Sequence, residues 1–510
     1  MAANELLIDW NLVLGDLLGS SCGISNDELK QLNAAIGEHS ARAVRLHPLT
    51  DESTLPFETQ PIPWFERGRW LADNQCRPGA FLHYAVGDYY IQDAGSMLAL
   101  ALCDVQPGQT FCDTCAAPGG KSSGLLEQLG ASGIVVSNEV IRSRLELLEL
   151  TLARTGLANY LVTNCEVEAL AERFNDSFDC VMVDAPCTGQ SMLARGKQSM
   201  AAFSAKQIEH SAARQQRILR AASQLVKPGG RLVYSTCTFA FAENEGMISW
   251  LRGEHPDWVP LSDPKLAAWE SRDHAGCYRL WPHRDSCAGA FAAALQRPID
   301  ASPGPTSMTP LEPPSKRSRG RQAGRQAGRA ASFSAVEVPP SDLPWLRPAT
   351  SQPLGLWRRG SELHYFSADL PREWIEAAHA GVPIAELRGG EWQPSYASSL
   401  VTCPTFEPTN SFELESQQAA EYFAGAAIRH SANGPSANDP SANQINPRLT
   451  NGSGSQSSWW SLTWQNRRLA WSKLAAGVFK NHLPKTLRKT QLIAPAPPRA
   501  TPYTPQLPDG

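Results

Sequence analysis

Two cysteines of this 510-residue chain stand where thiols can do chemistry. Cys187 closes the apolar stretch Val183-Asp184-Ala185-Pro186-Cys187, and Cys237 closes Tyr234-Ser235-Thr236-Cys237. One buried cysteine is usually an inert small hydrophobe. Two at strand ends, with Asp184 beside them, point elsewhere, because a thiolate is a soft nucleophile and a neighbouring acid suits it to attack on an electron-poor ring. A third element lies upstream, DTCAAPGGKSS at 113–123, followed by the helical SGLLEQLG. It has Cys115 where a phosphate-binding P-loop needs glycine, and it does not spell GxGxxG. What remains is a small-residue turn that lets a ligand approach the backbone at a helix N-terminus. Glu139, 20 residues beyond Gly119, ends the next apolar run, where an acid can hold ribose hydroxyls. An adenosine-containing cofactor is expected. Zinc is not, since Cys112 and Cys115 form a CxxC with no second pair at zinc-site spacing.

The elements that must position these groups are legible between Gln106 and Gln296. Six runs, QTFCDTCA, GIVVSNE, YLVTNC, FDCVMVDAP, GRLVYSTC and GAFAAALQ, alternate with amphipathic segments. That pattern predicts an α/β domain with a doubly wound parallel sheet covered on both faces. In such a sheet ligands bind at the carboxyl ends of the strands, where the two thiols, Asp184, the glycine turn and Glu139 all fall.

Composition bounds the rest. Lys and Arg total 46 against 50 for Asp and Glu, a net charge of -4, so charge must be read locally. With 42% hydrophobic and 19% charged residues the chain is neither wholly disordered nor membrane-embedded. Glu5, Asp9 and Asp16 interrupt the apolar residues of the N-terminus, unlike a secretory signal; a cytoplasmic protein with free thiols among its 12 cysteines is expected. After Arg297 the chain turns to Pro, Ser, Gly and Arg, with only positive charges from Lys316 through Arg329. That reads as a spacer more than as an RNA tether. A SAN-x-P repeat of period five residues follows later and reads as a flexible insertion. No acidic residue stands between Asp439 and Asp509, while Arg467, Arg468, Lys473, Lys480, Lys485, Arg488 and Lys489 interleave with Trp464 and Trp471. The tryptophans are expected to be mostly core and the cations to bind an anion, for which RNA is the natural partner.

CAAPGGK, DAPCTG and YSTCT followed by Glu243-Asn244-Glu245 resemble the signature motifs of the NOP/Sun family of S-adenosylmethionine-dependent RNA cytosine-C5 methyltransferases. PIPWFERGRW, DYYIQDAGSM, RLWPHRDSCAGAFAAAL and LAWSKLAAGVFKNHLPKTLR are similar to its bacterial RsmF-like branch, which acts on small-subunit ribosomal RNA. The resemblance and the composition together imply a Rossmann-like methyltransferase domain at 106–298, an N-terminal RNA-binding region at 1–105 and, from composition, a disordered basic linker at 299–343. Beyond it come a first C-terminal domain at 344–429, a low-complexity insertion at 430–458, a basic PUA-like α+β region at 459–492 and a disordered tail at 493–510. The resemblance also implies roles. Cys115, Ala116, Ala117, Pro118, Gly119, Gly120 and Lys121 form the S-adenosylmethionine loop, Glu139 holds the ribose, Glu166 meets the adenine, and Asp184 closes the cofactor and base pocket. Cys237 is the nucleophile toward carbon 6 of cytosine, Asp184 meets N3, and Cys187 assists release. Carbon 5 is not nucleophilic until a thiolate saturates the 5,6 double bond, so covalent catalysis follows from the chemistry as well.

Three departures stand out. Asn164-Cys165-Glu166 replaces an expected Asp near the third strand's end, Thr-Gly-Gln-Ser follows Cys187 where Ser-Gly-x-Gly is usual, and Ala43 to His47 replaces an RNA-contact motif, leaving Arg45 the phosphate role. Arg467, Arg468, Lys473, Lys480 and Lys485 are expected to touch RNA. A monomer is expected, without metal or membrane. Transfer RNA as the substrate and a non-catalytic role in ribosome assembly stay open as alternatives; an NAD-dependent oxidoreductase is disfavoured by the missing GxGxxG.

Overall fold

The computed structural model describes residues 8–18, 24–38, 40–300, 333–336, 338–350, 354–368, 370–430, 458–489 and 492. The spacer from 301 to 332, the SAN-repeat stretch from 431 to 457 and the tail from 493 lie outside the described residues.

Helix α1 (Trp10–Leu14) is capped by Asp9, and α2 (Asn26–Ile36) by a reciprocal Ser25–Glu28 capping box. Their Val13, Leu14, Leu32 and Ile36 pack on Ala202, Phe203, Phe239 and Ala240, close to both cysteine-bearing loops. A four-stranded antiparallel sheet follows in the order β2 (Thr59–Pro61), β3 (Gly68–Leu71), β1 (Ala43–Leu46), β4 (Tyr89–Ile91). The short helix α3 (Leu82–Ala85) precedes β4.

The central sheet forms from the expected runs: β5 (Thr110–Asp113), β6 (Ile134–Asn138), β7 (Tyr160–Thr163), β8 (Phe178–Asp184), β9 (Val226–Thr236) and β12 (Ala290–Gln296), with the additional β10 (Val259–Pro260) and β11 (Cys277–Leu280). The order β10-β12-β9-β8-β5-β6-β7 puts a reversal of winding between β5 and β8, the crevice in which such sheets bind ligands. Strands β5 to β9 pair in parallel. The last run departs from expectation: β12 pairs antiparallel with β9, so the sheet is mixed. The residues between β9 and β12 hold α9 (Glu245–Glu254) and two short strands but no crossover that would return the chain in parallel.

Both faces are covered. Leu125 of α5 (Gly120–Leu129) and Leu148 and Leu152 of α6 (Leu145–Ala153) bury one face; Leu170 of α7 (Val167–Arg173), Leu219 and Ala222 of α8 (Ala205–Leu225) and Leu251 of α9 bury the other. Helix α4 (Leu98–Leu102) belongs to the same core, its Leu98 and Leu100 fully buried with Ala292 and Ala294, so the domain begins before residue 106.

The C-terminal boundaries also differ from those expected. Phe333 is buried and β13 (Ser334–Ala335) pairs with β15 (Leu356–Arg359), so ordered structure resumes before residue 344. That sheet runs β13-β15-β16-β17-β18, with β16 at Glu362–Tyr365, β17 at Val382–Arg388 and β18 at Glu391–Pro394. Beside it β14 (Leu346–Pro348) pairs with β19 (Phe406–Pro408). A second sheet, β20-β22-β23-β24-β21, crosses the expected division at 429: β20 (Ser411–Glu413) lies parallel to β22 (Ser458–Trp464), and β21 (Ile428–Arg429) pairs with β24 (Val478–Lys480) beyond β23 (Arg467–Ala475). These pairings join segments on either side of 431–457, a connection that composition alone does not reveal.

The second sheet docks on the N-terminal region. Leu82 and Val86 are buried with Tyr422, Trp464 and Leu483, Arg467 Nε meets Asp88 Oδ1 at 2.9 Å, and Lys489 Nζ donates to Gly79 O at 2.6 Å. Among the described residues no helix is long and apolar enough to cross a membrane.

Candidate active site

Strands β8 and β9 run in register, Asp184 beside Ser235, so the loops leaving them are neighbours. This brings Cys187 Sγ and Cys237 Sγ to 3.5 Å. The two loops are fastened above the thiols. Thr188 Oγ1 and Thr238 Oγ1 lie 2.7 Å apart, the Ser191 N–H donates to Cys237 O at 3.2 Å, and Gln190 receives the Phe239 N–H at 2.9 Å while donating to Ala202 O at 3.0 Å.

Beneath both loops sits Glu243, fully buried. Its carboxylate accepts from the Thr188 N–H at 3.0 Å, Thr188 Oγ1 at 2.6 Å and Gln215 Nε2 at 2.8 Å. Burial pushes its carboxyl above the ordinary range against those hydrogen bonds. Asn244 accepts from Thr236 Oγ1 at 2.6 Å and donates to Thr238 O at 2.9 Å. Glu245 forms a buried ion pair with Arg279, whose Nη1 donates to Phe239 O at 3.0 Å. The sequence marks this Glu-Asn-Glu only as a motif; its work of pinning both thiol loops emerges from the fold.

The two thiols differ in acidity. The hydrogen bond from Cys187 holds Cys237 below the usual thiol range, helped by Lys121 and opposed by burial and by Asp184. Cys187 is driven well above that range, first because it serves as the donor to Cys237 and then by burial. Of the two, Cys237 has the surroundings that favour a thiolate, the reactive form of a cysteine. Asp184 stands at the same rim, its Oδ2 2.8 Å from Lys121 Nζ and its Oδ1 accepting from Ser235 Oγ at 2.8 Å. Lys121 is largely buried; burial lowers its pKa, but Asp184 together with Cys237 and Asp113 outweighs that and raises it.

The glycine turn is held from behind. Gly119 has φ +102°, and a Cβ there would meet Thr151 at 2.8 Å, so only glycine fits. Asp113, fully buried at the end of β5, accepts from Ser122 Oγ at 2.6 Å and the Cys115 N–H at 3.3 Å; burial raises it to about 7. Burial likewise pushes Cys115 up to about 12, an inert thiol. Ala116 and Ala117 are buried beside Pro118 in the turn. Glu139, 3% exposed, accepts from the Ala117 N–H at 3.3 Å and the Ile141 N–H at 2.8 Å and pairs with Arg144 at 3.1 Å. Arg144 also donates to Ala117 O, spanning turn and acid. This donor set fits S-adenosylmethionine: a buried carboxylate for hydroxyls faces the backbone at the start of a ten-residue helix. Glu166, expected at the adenine, is exposed and pairs with Arg217 at 3.1 Å.

Arg45 corrects the expectation of a phosphate contact. It is 1% exposed, and its guanidinium bonds Glu127 at 2.7 and 3.0 Å, Ser123 Oγ at 2.7 Å, Gly120 O at 2.5 Å and Gln92. No face is left for RNA; it braces the helix behind the glycine turn, and a lone arginine in sequence carries no signal of that burial. Of the C-terminal cations, Arg467 is engaged by Asp88 and Arg468 donates to Val401 O at 2.6 Å. Lys480 and Lys485 are exposed, and Lys473, directly across from Lys480 in register, lies over the Trp459 ring. Among the described residues no three His, Cys, Asp or Glu side chains gather to hold a metal.

Residues 99–296 match the family described as 16S rRNA methyltransferase RsmB/F, and residues 409–489 match the RsmF PUA domain, a span that agrees with the second C-terminal sheet. The chain is 30% identical over 385 residues to the ribosomal RNA small subunit methyltransferase F of Shigella boydii serotype 4, covering 72% of this chain and 76% of that protein. The protein of the same name from Escherichia coli O9:H4 matches to the same extent. A solved methyltransferase homologue from Pyrococcus horikoshii is 26% identical with a TM-score of 0.47, over 52% of this chain and 90% of that one.

Proposed function

The chain belongs to the RsmB/F family of 16S rRNA methyltransferases, and from that premise we propose that it methylates carbon 5 of a cytosine in small-subunit ribosomal RNA through a covalent bond to Cys237. The observation that carries the reading is the pair of thiols 3.5 Å apart, one acidified by the other, beside Asp184 and Lys121. The glycine turn and Glu139 would hold S-adenosylmethionine, which would supply an electrophilic methyl group.

The residues perform the remaining work. The Cys237 thiolate adds to carbon 6, forming an S–C bond and breaking the 5,6 π bond, whose electrons pass toward carbon 5 and N3. Asp184 with its Lys121 partner meets the N3 edge and neutralises the charge that develops there. Once carbon 5 carries its methyl group, its proton leaves to a base; Cys187, beside Cys237, assists this step and the expulsion of the Cys237 thiolate that restores the double bond. The base must be turned out of its stack to present carbons 5 and 6 to a strand-end pocket.

The test is a denaturing gel of protein incubated with S-adenosylmethionine and 16S ribosomal RNA, with transfer RNA as a parallel arm. Cys187→Ala is expected to accumulate a protein–RNA adduct that vanishes when Cys237 is also replaced. Methylation by Cys237→Ala would remove it as the nucleophile, and adducts confined to transfer RNA would overturn the substrate.

A further inference from the structure

A cleft of about 680 Å³ lies between the N-terminal sheet and the segment after Cys187, within the size range of small-ligand sites. Its walls are tied to both halves of the active site. Ser191 lines it and donates its N–H to Cys237 O. Gln92 lines it too and accepts from Arg45, which donates to Gly120 O of the glycine turn. An occupant of the cleft therefore touches the supports of nucleophile and cofactor turn while standing outside both.

The lining chemistry is that of a nucleotide site. Three arginines, Arg42, Arg77 and Arg195, face two carboxylates, Glu38 and Asp93. Asp93 is already engaged: it takes Arg195 Nη2 at 2.6 Å, Ser40 Oγ at 3.4 Å and the N–H groups of Gly95 at 3.0 Å and Ala288 at 3.3 Å. These bonds tie the segment after Cys187 to the N-terminal region across the cleft floor. Arg42 is exposed and spends one Nη on Cys76 O at 2.7 Å. The exposed Arg77 guanidinium has no hydrogen bond or ion pair among the described residues. Free guanidinium N–H groups match phosphate oxygens in a fork, and guanidinium planes stack on unpaired bases. Flipping the target cytosine unstacks its neighbours, so an unpaired base is available where the strand enters.

We propose that this cleft is a second RNA subsite, which holds the phosphate and base of the nucleotide adjoining the target cytosine in the same strand. The assignment rests on the reading of the protein as an RNA methyltransferase. It makes Arg42 and Arg77 substrate-binding residues and Glu38, exposed at the rim, a residue that weakens binding.

The experiment uses the full chain with S-adenosylmethionine and 16S ribosomal RNA, comparing wild type, Arg42→Ala, Arg77→Ala, the double variant and Glu38→Lys. RNA affinity is followed against salt, and methyl transfer under single turnover. Each alanine is expected to weaken binding about tenfold and to lower the log–log salt slope by about one. Glu38→Lys is expected to move both the other way, while S-adenosylmethionine affinity stays at the wild-type value. A double variant with wild-type affinity and slope overturns the subsite. Failure of the underlying reading looks different: a wild-type protein that binds RNA but transfers no methyl group sinks the activity, whereas a wild type that methylates alongside indistinguishable variants sinks the subsite alone.

Discussion

The hydrogen bond with Cys187 lowers the Cys237 thiol below its usual range, and that effect has a sign that can be read in a pH profile. Removing the donor destabilises the thiolate, so the Cys237 pKa rises and less of the enzyme is reactive at neutral pH. The rate of adduct formation by Cys187→Ala, measured by rapid quench, is expected to fall near pH 7 and to show its alkaline midpoint at higher pH than wild type. An unmoved midpoint would separate the two thiols electrostatically. At this scale the sequence was most informative for groups whose chemistry is rare at strand ends: Cys187, Cys237, Asp184 and Glu139 all stand at the carboxyl rim, on the strands expected. It was least informative for groups whose role depends on burial. Arg45 reads as an RNA contact and is a brace, and Glu243 reads as a motif letter and is the acid that pins both thiol loops.

Among the elements, β5 carries a cost. Asp113 ends it fully buried, with its carboxyl raised to about 7 from an unfolded value of about 4. Between those values the folded state binds more protons than the unfolded one, so stability falls as pH rises through that window and is flat above it. Asp113→Asn removes the titration. Its melting temperature relative to wild type is expected to climb from pH 4 to pH 7, by calorimetry; a constant difference would mean that the carboxyl ionises normally. The strands themselves were legible because β-branched runs such as IVV and VMV have one length and one setting, the doubly covered sheet. The direction of β12 was not, since GAFAAALQ reads the same whether its neighbour runs with or against it. Nor could the pairing of β20 with β22 be read across the SAN repeat, because register across a long insertion is set by tertiary packing.

For the whole molecule the decisive contact is the one between its ends. Asp88 accepts Arg467 at 2.9 Å and lies 2.8 Å from His83 Nδ1, all at the seam between the N-terminal region and the second C-terminal sheet. Asp88→Ala leaves Arg467 without its anion, a loss of roughly 3 kcal/mol when such a pair is largely buried. The variant is expected to melt in two steps, with the C-terminal sheet released first and RNA affinity falling in the same temperature range. A single cooperative transition at the wild-type temperature would show that the seam is held by its apolar contacts, Leu82 and Val86 against Trp464 and Leu483.

That seam also imposes a schedule on biosynthesis. Asp88 and Arg467 are 379 residues apart in the chain. At roughly 5 to 20 residues per second the ribosome needs on the order of 20 to 75 s to deliver the second after the first. Leu82 and Val86 spend that interval without the side chains that cover them in the finished fold. A messenger truncated before the codon of Leu414 would yield a product in which Leu82 and Val86 lack every one of those C-terminal partners.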